Sequence, residues 1–123
     1  MIGIGVDMVE VSRIADAYAR SGERFSRRIL NDDELVAFGK STSPENFLAK
    51  RFAVKEAVAK AIGCGFSQGV SWTDISLAHD ELGKPIVNLS GGAKNRLEEL
   101  GGTTAMISLS DEAGLVIAYA QVY

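Results

Sequence analysis

The segment from residue 51 to residue 65, RFAVKEAVAKAIGCG, constrains the fold most strongly, because it predicts one long helix. Alanine is the best helix former, and Gly63 is a natural C-terminal stop for the helix. The segment nevertheless carries Lys55, Glu56 and Lys60 among apolar residues. Charged side chains are almost never fully buried without partners. These three charges therefore need a structural or chemical explanation.

The hydrophobic pattern of the whole chain predicts an α+β fold in a single domain covering residues 1–123. The predicted elements are a strand at 2–6, a helix at 9–20, a short helix capped by Asn31–Asp33 and ending at Phe38, a helix at 45–62, strands at 74–78 and 86–89, a helix at 93–100, and strands at 104–109 and 115–122. Helices that come mainly before antiparallel strands are typical of this class. The last two strands are apolar on both faces, which predicts burial by helices or by another subunit.

Composition excludes several classes of protein. The chain has 123 residues, 46% of them hydrophobic and 24% charged, as in ordinary globular domains. A net charge of −3 argues against general nucleic-acid binding. Its one cysteine cannot form an internal disulfide and fits a reducing cytosol. No apolar run is long enough to span a membrane, and the start lacks a signal-peptide pattern. We therefore expect a cytoplasmic protein.

Charge is unevenly distributed along the chain. Residues 13–28 contain five arginines and two carboxylates, which leaves a local net charge of +3. Arginine forks suit carboxylates and phosphates, so this segment is a candidate docking surface for an acidic partner. A solvated helix face explains the pattern equally well.

Asp7 has two interpretations from its local sequence. It follows the apolar run IGIGV, where a strand end could present a catalytic or metal-binding carboxylate. The spacing Asp7-x-x-Glu10 before an apolar helix also matches a capping box. Both interpretations stay open on this basis.

Glu56 and Lys60 are four residues apart, so they share one face of the long helix. As an exposed ion pair they would stabilise the helix by about 0.2–0.5 kcal/mol. The same pair suits phosphate-transfer chemistry, because the acid can bind Mg²⁺ or take a proton and the ammonium can neutralise phosphate charge.

Other candidate motifs are weaker. Gly63-Cys64-Gly65 follows a helix instead of preceding one, and the C-terminal end of a helix repels anions, so a phosphate-binding loop is disfavoured. A nucleophilic Cys64 would have to use His79, the only histidine, which lies in a predicted turn. No zinc-ligand spacing is present. Trp72 is interpreted as a core or interface residue.

Four motifs in order resemble the bacterial holo-acyl-carrier-protein synthases, the small stand-alone phosphopantetheinyl transferases. They are IGIGVDMVEVSRI, RFSRRILNDDEL, FLAKRFAVKEAVAKAIGCG and ELGKP. The resemblance implies transfer of the 4′-phosphopantetheine arm of coenzyme A to a serine of apo-acyl carrier protein. Adenosine 3′,5′-bisphosphate would be released, and the activity would belong to fatty acid biosynthesis.

The resemblance also implies roles for individual residues. Asp7 and Glu56 would hold Mg²⁺, and Asp7 could cap the following helix through its other oxygen. Glu56 would remove the serine proton, directly or through a water, and Lys60 would stabilise charge on the pyrophosphate and the leaving group. Arg51 would be a further phosphate contact with coenzyme A, extending the Glu56–Lys60 face. Lys55 has no assigned role: a second phosphate contact and a solvated neighbour fit equally well.

Docking and assembly follow from the same resemblance. Arg13, Arg24 and Arg28 match the positions that dock the acidic helix of acyl carrier protein. The family implies a homotrimer with active sites at the subunit interfaces. Asp111 departs from the pattern, because many relatives have a histidine there that is linked to coenzyme A binding. A carboxylate cannot replace a cationic phosphate contact, so Asp111 receives no ligand role.

Two other functions remain as alternatives. A small Mg²⁺-dependent pyrophosphohydrolase could use the same carboxylates and release free phosphopantetheine. A non-catalytic module could bind acidic proteins through its arginines, in which case Lys60→Ala would leave function intact.

Overall fold

The computed structural model describes every residue from Met1 to Tyr123. Its elements are β1 (Gly3–Glu10), α1 (Val11–Ser21), α2 (Glu23–Ile29), α3 (Asp32–Gly39), α4 (Pro44–Ala61), a 3-10 turn (Trp72–Asp74), β2 (Ile75–His79), β3 (Pro85–Leu89), α5 (Gly91–Glu99), β4 (Ala105–Glu112) and β5 (Leu115–Val122). The predicted α+β class is confirmed. Most predicted boundaries lie within a few residues of the observed ones.

The strands form two antiparallel sheets. The larger sheet has the order β1-β5-β4, and β2 pairs with β3 in a separate hairpin. The sheet is therefore not built from C-terminal strands alone, because the first strand of the chain lies beside the last one. The register pairs Asp7 with Ala118 and Glu10 with Leu115.

β1 is longer than predicted, and this corrects the interpretation of Asp7 as a helix cap. The ladder with β5 continues to Glu10, and α1 begins at Val11. Glu10 occupies the N-cap position and makes no side-chain capping bond. Apolar residues at 9 and 11 satisfy both strand and helix spacing, and the β5 partner decides between them. Asp7 therefore lies in the middle of a strand and does not cap α1.

Close packing of α4 on β1 depends on two glycines. A Cβ atom at Gly3 or Gly5 would lie 2.0 Å from the carbonyl oxygen of Ala61 or Ala57, respectively. Real side chains do not tolerate such a distance, so only glycine allows the strand to come this near the helix. The alanines of α4 are buried against the inner face of the sheet, where Ala118 is also fully buried. This packing brings the middle of β1 next to the C-terminal half of α4.

The two faces of the larger sheet differ. The face toward α4 is buried, which confirms the expected burial of the last strands on that side. The opposite face exposes large apolar side chains from all three strands. Their exposed fractions are Ile4 55%, Val6 54%, Met8 62%, Met106 46%, Ile117 42% and Tyr119 38%.

α4 ends where the sequence predicts. Its last helical residue is Ala61, and Gly63 follows with a φ of 83°, the left-handed conformation that favours glycine. Gly63-Cys64-Gly65 thus terminates the helix. None of the helices in the structure has the length and apolar character required to cross a membrane.

Candidate active site

Asp7 and Lys60 meet at the packed contact between β1 and α4. Lys60 Nζ lies 3.2 Å from Asp7 Oδ1 and donates a hydrogen bond to the Val6 carbonyl oxygen at 3.0 Å. The side chain of Asp7 is 17% exposed and that of Lys60 is 51% exposed. The carboxylate is therefore held in a partly enclosed position, with an ammonium beside it that solvent can reach.

Glu56 joins this pair from one turn earlier on α4. It is half-buried, and its pKa is raised, first by burial and then by the negative charge of Asp7, while Lys60 acts in the opposite direction. Glu56 shares a helix face with Lys60, and Lys60 contacts Asp7, so the two carboxylates face the same region. The structure thus brings together Asp7, Glu56 and Lys60, three residues that the sequence singled out.

The donor set at this position consists of two carboxylates. No group of three or more histidine, cysteine, aspartate or glutamate side chains is arranged to hold a metal ion. Mg²⁺ prefers oxygen ligands, keeps several waters, and is usually held by one or two carboxylates together with substrate phosphates. A cation between Asp7 and Glu56 would also relieve the like-charge repulsion that raises the pKa of Glu56. The two residues present fit that ion.

Arg51 does not extend the face that carries Glu56 and Lys60. It lies five residues before Glu56, which places it about 140° away around the helix. Its guanidinium packs over the Phe47 ring at 3.7 Å from the centroid, and its Nη2 donates to the Leu77 carbonyl oxygen at 3.4 Å. The side chain is only 8% exposed. The role of Arg51 in binding coenzyme A stays a prediction.

Both interpretations of Lys55 are wrong, because its side chain is fully buried. Nζ donates to the Ile29 carbonyl oxygen at 2.6 Å, to Glu34 Oε1 at 2.7 Å and to the Trp72 carbonyl oxygen at 3.2 Å. The partner Glu34 is itself 3% exposed. The Asn31–Glu34 capping-box spacing in the sequence identifies a helix start, but it carries no sign of this ion pair.

The three arginines predicted to dock a partner all lie on the surface. Arg13 is on α1, and Arg24 and Arg28 are on α2; all three are exposed and none forms an ion pair within the chain. The neighbouring Arg27 differs, since its Nη2 lies 3.6 Å from Glu23 Oε2. The first helices therefore present unpaired positive charge to solvent.

A second cationic region was missed at the sequence level. A cavity of about 440 Å³ lies between the β2–β3 hairpin and β4, and its lining includes Lys50, His79, Lys84 and Asp111. Lys50 Nζ lies 3.7 Å from Asp111 Oδ2. The pKa of His79 is lowered by burial and by the charges of Arg51 and Lys50, although Asp80 opposes the shift. Only the fold brings these distant positions together.

Comparison with known proteins identifies the family. Residues 3–120 match the model of the 4′-phosphopantetheinyl transferase superfamily. A holo-[acyl-carrier-protein] synthase of Vibrio cholerae is 47% identical over 118 residues, which cover 96% of this chain and 94% of that protein.

Solved structures agree with this assignment. The crystal structure of holo-[acyl-carrier-protein] synthase from Neisseria meningitidis has a TM-score of 0.94 and 42% identity, covering 100% of this chain and 99% of that one. The Helicobacter pylori enzyme in complex with coenzyme A has a TM-score of 0.84 and 29% identity, covering 98% and 99%. The resemblance found in the sequence is confirmed, and the chain belongs to the holo-[acyl-carrier-protein] synthases of the 4′-phosphopantetheinyl transferase superfamily.

Proposed function

We propose that this chain transfers the 4′-phosphopantetheine group of coenzyme A to a serine of apo-acyl carrier protein, as an enzyme of fatty acid biosynthesis. The observation that carries the proposal is the meeting of Asp7, Glu56 and Lys60 in a chain of this family. The two carboxylates and the ammonium lie on β1 and α4, which are rigid elements. Phosphate transfer depends on groups that are held in fixed positions around the substrate phosphate.

Asp7 and Glu56 are the residues that would hold Mg²⁺. When bound, the ion would neutralise the charge of the pyrophosphate of coenzyme A and orient it. In the single chain, Lys60 neutralises Asp7 directly through the 3.2 Å contact. Lys60 therefore has its ammonium close to the position where substrate phosphate charge would lie.

Glu56 is the proposed general base. Its raised pKa makes its carboxylate a better proton acceptor than that of an ordinary glutamate. The serine oxygen attacks the phosphorus that carries the pantetheine arm, and the serine proton passes to Glu56, directly or through a water. The bond from that phosphorus to the bridging oxygen breaks, and adenosine 3′,5′-bisphosphate leaves with its charge stabilised by Lys60.

We assign the 3′-phosphate of coenzyme A, the one outside its pyrophosphate, to the cationic side of the 440 Å³ cavity. The cations that line it are Lys50 and Lys84. His79 lines it too, but burial and then the charges of Arg51 and Lys50 lower its pKa, so it would serve as a neutral hydrogen-bonding group. Asp111 still receives no direct ligand role. Lys50 Nζ lies 3.7 Å from Asp111 Oδ2, beside the position where many relatives have the histidine, so we propose that Lys50 takes the role of that histidine.

The acidic carrier protein would dock on Arg13, Arg24 and Arg28. Their exposure and lack of internal partners leave all three free to pair with carboxylates. Opposite surface charge mainly accelerates association and sets orientation, so these arginines would deliver the serine toward Glu56.

The exposed apolar face of the β1-β5-β4 sheet supports a homotrimer. Its side chains come from three neighbouring strands, and such a contiguous patch is characteristic of an interface. Asp7 lies between Val6 and Met8 on β1, but its side chain points to the other face of the sheet, toward Lys60 of α4. We propose active sites at the interfaces from the family resemblance alone.

We also propose that the protein works in the cytoplasm, because a free cysteine such as Cys64 suits a reducing environment.

The deciding experiment incubates the chain with apo-acyl carrier protein, coenzyme A and Mg²⁺, and weighs the carrier by mass spectrometry. A gain of one phosphopantetheine is expected. Release of free phosphopantetheine without carrier would favour a pyrophosphohydrolase. Carrier binding that persists in Lys60→Ala, with no mass gain in the wild type, would favour a binding module.

A further inference from the structure

We infer that Lys55, together with Glu34, is a positioning residue that fixes the carrier-docking helix α2 relative to Glu56. This inference rests on the proposed function for its consequence in catalysis. The hydrogen-bond network of Lys55 and Glu34, called the tie below, is a property of the fold. It can be measured without any substrate. Neither Lys55 nor Glu34 forms a hydrogen bond with Asp7, Glu56 or Lys60, but Glu34 Oε2 lies 3.8 Å from Arg51 Nε. The effect of changing Lys55 alone, which keeps that contact, would act through the position of α2.

The first part of the tie is at the end of α2. Ile29 is the last residue of that helix, and Lys55 Nζ donates to its carbonyl oxygen at 2.6 Å. The final carbonyls of a helix lack intrahelical partners and form the negative end of the helix dipole. A buried ammonium therefore satisfies this end of α2 and holds it against α4.

The second part is at the start of α3. Glu34 occupies the N3 position, and its Oε1 accepts from the Asn31 backbone N–H at 3.1 Å while also accepting from Lys55 at 2.7 Å. Its other oxygen accepts from the Leu77 N–H of β2 at 3.0 Å. A carboxylate at a helix N-terminus complements the dipole. The ion pair thus places a positive charge at the end of α2 and a negative charge at the start of α3, on both sides of the corner between them.

The third part reaches the segment that follows α4. Lys55 Nζ donates to the Trp72 carbonyl oxygen at 3.2 Å, and the Trp72 ring stacks on Phe66 at 3.9 Å between centroids. All three donor bonds of the ammonium are used. Its orientation, and with it the rotation of α4 about its axis, is defined by three separate elements.

Stability alone does not explain this arrangement. Burial takes the Lys55 ammonium out of water, and this costs free energy that its three hydrogen bonds have to offset. Apolar side chains of similar volume often stabilise a core as well as a buried ion pair does. The pair differs from an apolar contact in being directional, because each bond requires a particular oxygen at a particular place. A directional contact specifies how α2 sits on α4.

The residues that bond in the tie are sequence neighbours of the proposed base and of a docking residue. Lys55 directly precedes Glu56, and Ile29 directly follows the docking residue Arg28. One hydrogen bond therefore joins the residue beside the proposed base to the residue beside the docking surface. A misplacement of about 1 Å in the reacting groups can cost about 100-fold in rate. Loosening this contact would let a docked serine lie out of reach of Glu56.

The test uses the double variant Glu34→Gln/Lys55→Met, which removes both charges at nearly constant volume. We expect kcat with apo-acyl carrier protein to fall by about tenfold or more. Lys55→Met alone, which keeps Glu34 beside Arg51 at 3.8 Å, should lower kcat and leave the KM for coenzyme A near its wild-type value. Amide hydrogen exchange should become faster in α2 and at the α2–α3 corner, while the β1-β5-β4 sheet keeps its protection. Emission of Trp72, the single tryptophan, should shift as well.

Leu97→Ala on α5 is the matched control, because Leu97 is buried at 3% exposure and lies outside this network. It should destabilise the chain without the selective change in α2 exchange or the split between kcat and the coenzyme A KM. Glu34→Asp, which shortens the carboxylate and keeps the charge, gives a second variant if the double one does not fold. It should show the same pattern with a smaller amplitude.

Wild-type kcat and wild-type α2 exchange in a folded double or Glu34→Asp variant would overturn the inference. The same pattern in Leu97→Ala would overturn it too. If the wild-type chain itself transferred nothing, the proposed function would fail, and α2 exchange would still decide whether the tie exists.

Discussion

Lys60 Nζ and Asp7 Oδ1 lie 3.2 Å apart, although 53 positions separate the two residues in the chain. Their contact depends on the close approach of β1 to α4, which Gly3 and Gly5 allow. The site therefore lies at a close contact between strand and helix. Rigid packing of this kind holds catalytic groups in place.

Asp7→Asn should abolish transfer while leaving the fold intact. The amide is isosteric but lacks the charge that a Mg²⁺ ligand supplies, so we expect a loss of at least about 100-fold in kcat. Carrier mass gain over time measures the rate, and thermal unfolding checks the fold. Asp16→Asn on the exposed side of α1 is the matched control. Normal activity in Asp7→Asn would remove Asp7 from the metal site.

Glu56→Gln should stabilise the metal-free protein at neutral pH, although it removes the proposed base. Burial and Asp7 raise the pKa of Glu56 in the folded state, so folding favours the protonated form. The contribution of Glu56 to stability is fully present below its unfolded pKa and is lost as pH rises through its folded pKa. The variant should therefore gain stability over the wild type as pH rises through that window.

Urea unfolding of both proteins at several pH values, without Mg²⁺, measures the difference. It should be smallest under acidic conditions. A constant difference across the range would show that Glu56 does not titrate differently in the folded state.

Reversal of the docking charges should affect the carrier more than coenzyme A. Arg13→Glu/Arg24→Glu replaces two exposed, unpaired cations with anions, so we expect the KM for the acidic carrier to rise by about tenfold or more at low salt. The effect should shrink as salt screens the surface. Lys94→Glu, on the exposed side of α5, is the control of equal charge type. Equal losses for carrier and coenzyme A would contradict the docking assignment.

Val6→Lys/Met8→Lys should dissociate the proposed trimer. Both side chains are more than half exposed in the single chain, at 54% and 62%, and lie on the apolar face of β1. Two charges there would have to be buried without partners in an interface, at a cost of several kcal/mol, ~2–5 per group. Sedimentation velocity measures the assembly. Val36→Lys is the control. Val36 is an apolar residue of α3 that is 62% exposed and lies away from the sheet, so this variant should leave assembly unchanged.

The sequence predicted the elements better than it predicted their contacts. The period and stop signals of α4 located it within a residue or two, and the Asn31 cap of α3 was correct. The alternation around Val9 fitted both a strand and a helix, so the end of β1 depended on pairing with β5. Lys55 was misjudged for a related reason, because its partner Glu34 comes from another helix. A charge in an alanine-rich helix identifies neither its partner nor its burial.

The buried pair gives a last prediction, on stability. Lys55→Met removes the closest cation from the buried carboxylate of Glu34 and leaves it the 3.8 Å contact with Arg51, so we expect a loss of about 1.5–3 kcal/mol in the free energy of unfolding. Glu34→Gln also takes the carboxylate away from Arg51, so the loss in the double variant should be smaller than the sum of the two single losses without falling below that of Lys55→Met. Urea unfolding of the two single variants and the double variant completes the cycle. Lys50→Met on the same helix breaks only the half-exposed contact with Asp111 and should cost about 0–1 kcal/mol. If Lys55→Met were as mild as Lys50→Met, or the two single losses simply added in the double variant, Glu34 and Lys55 would not be coupled in the folded protein.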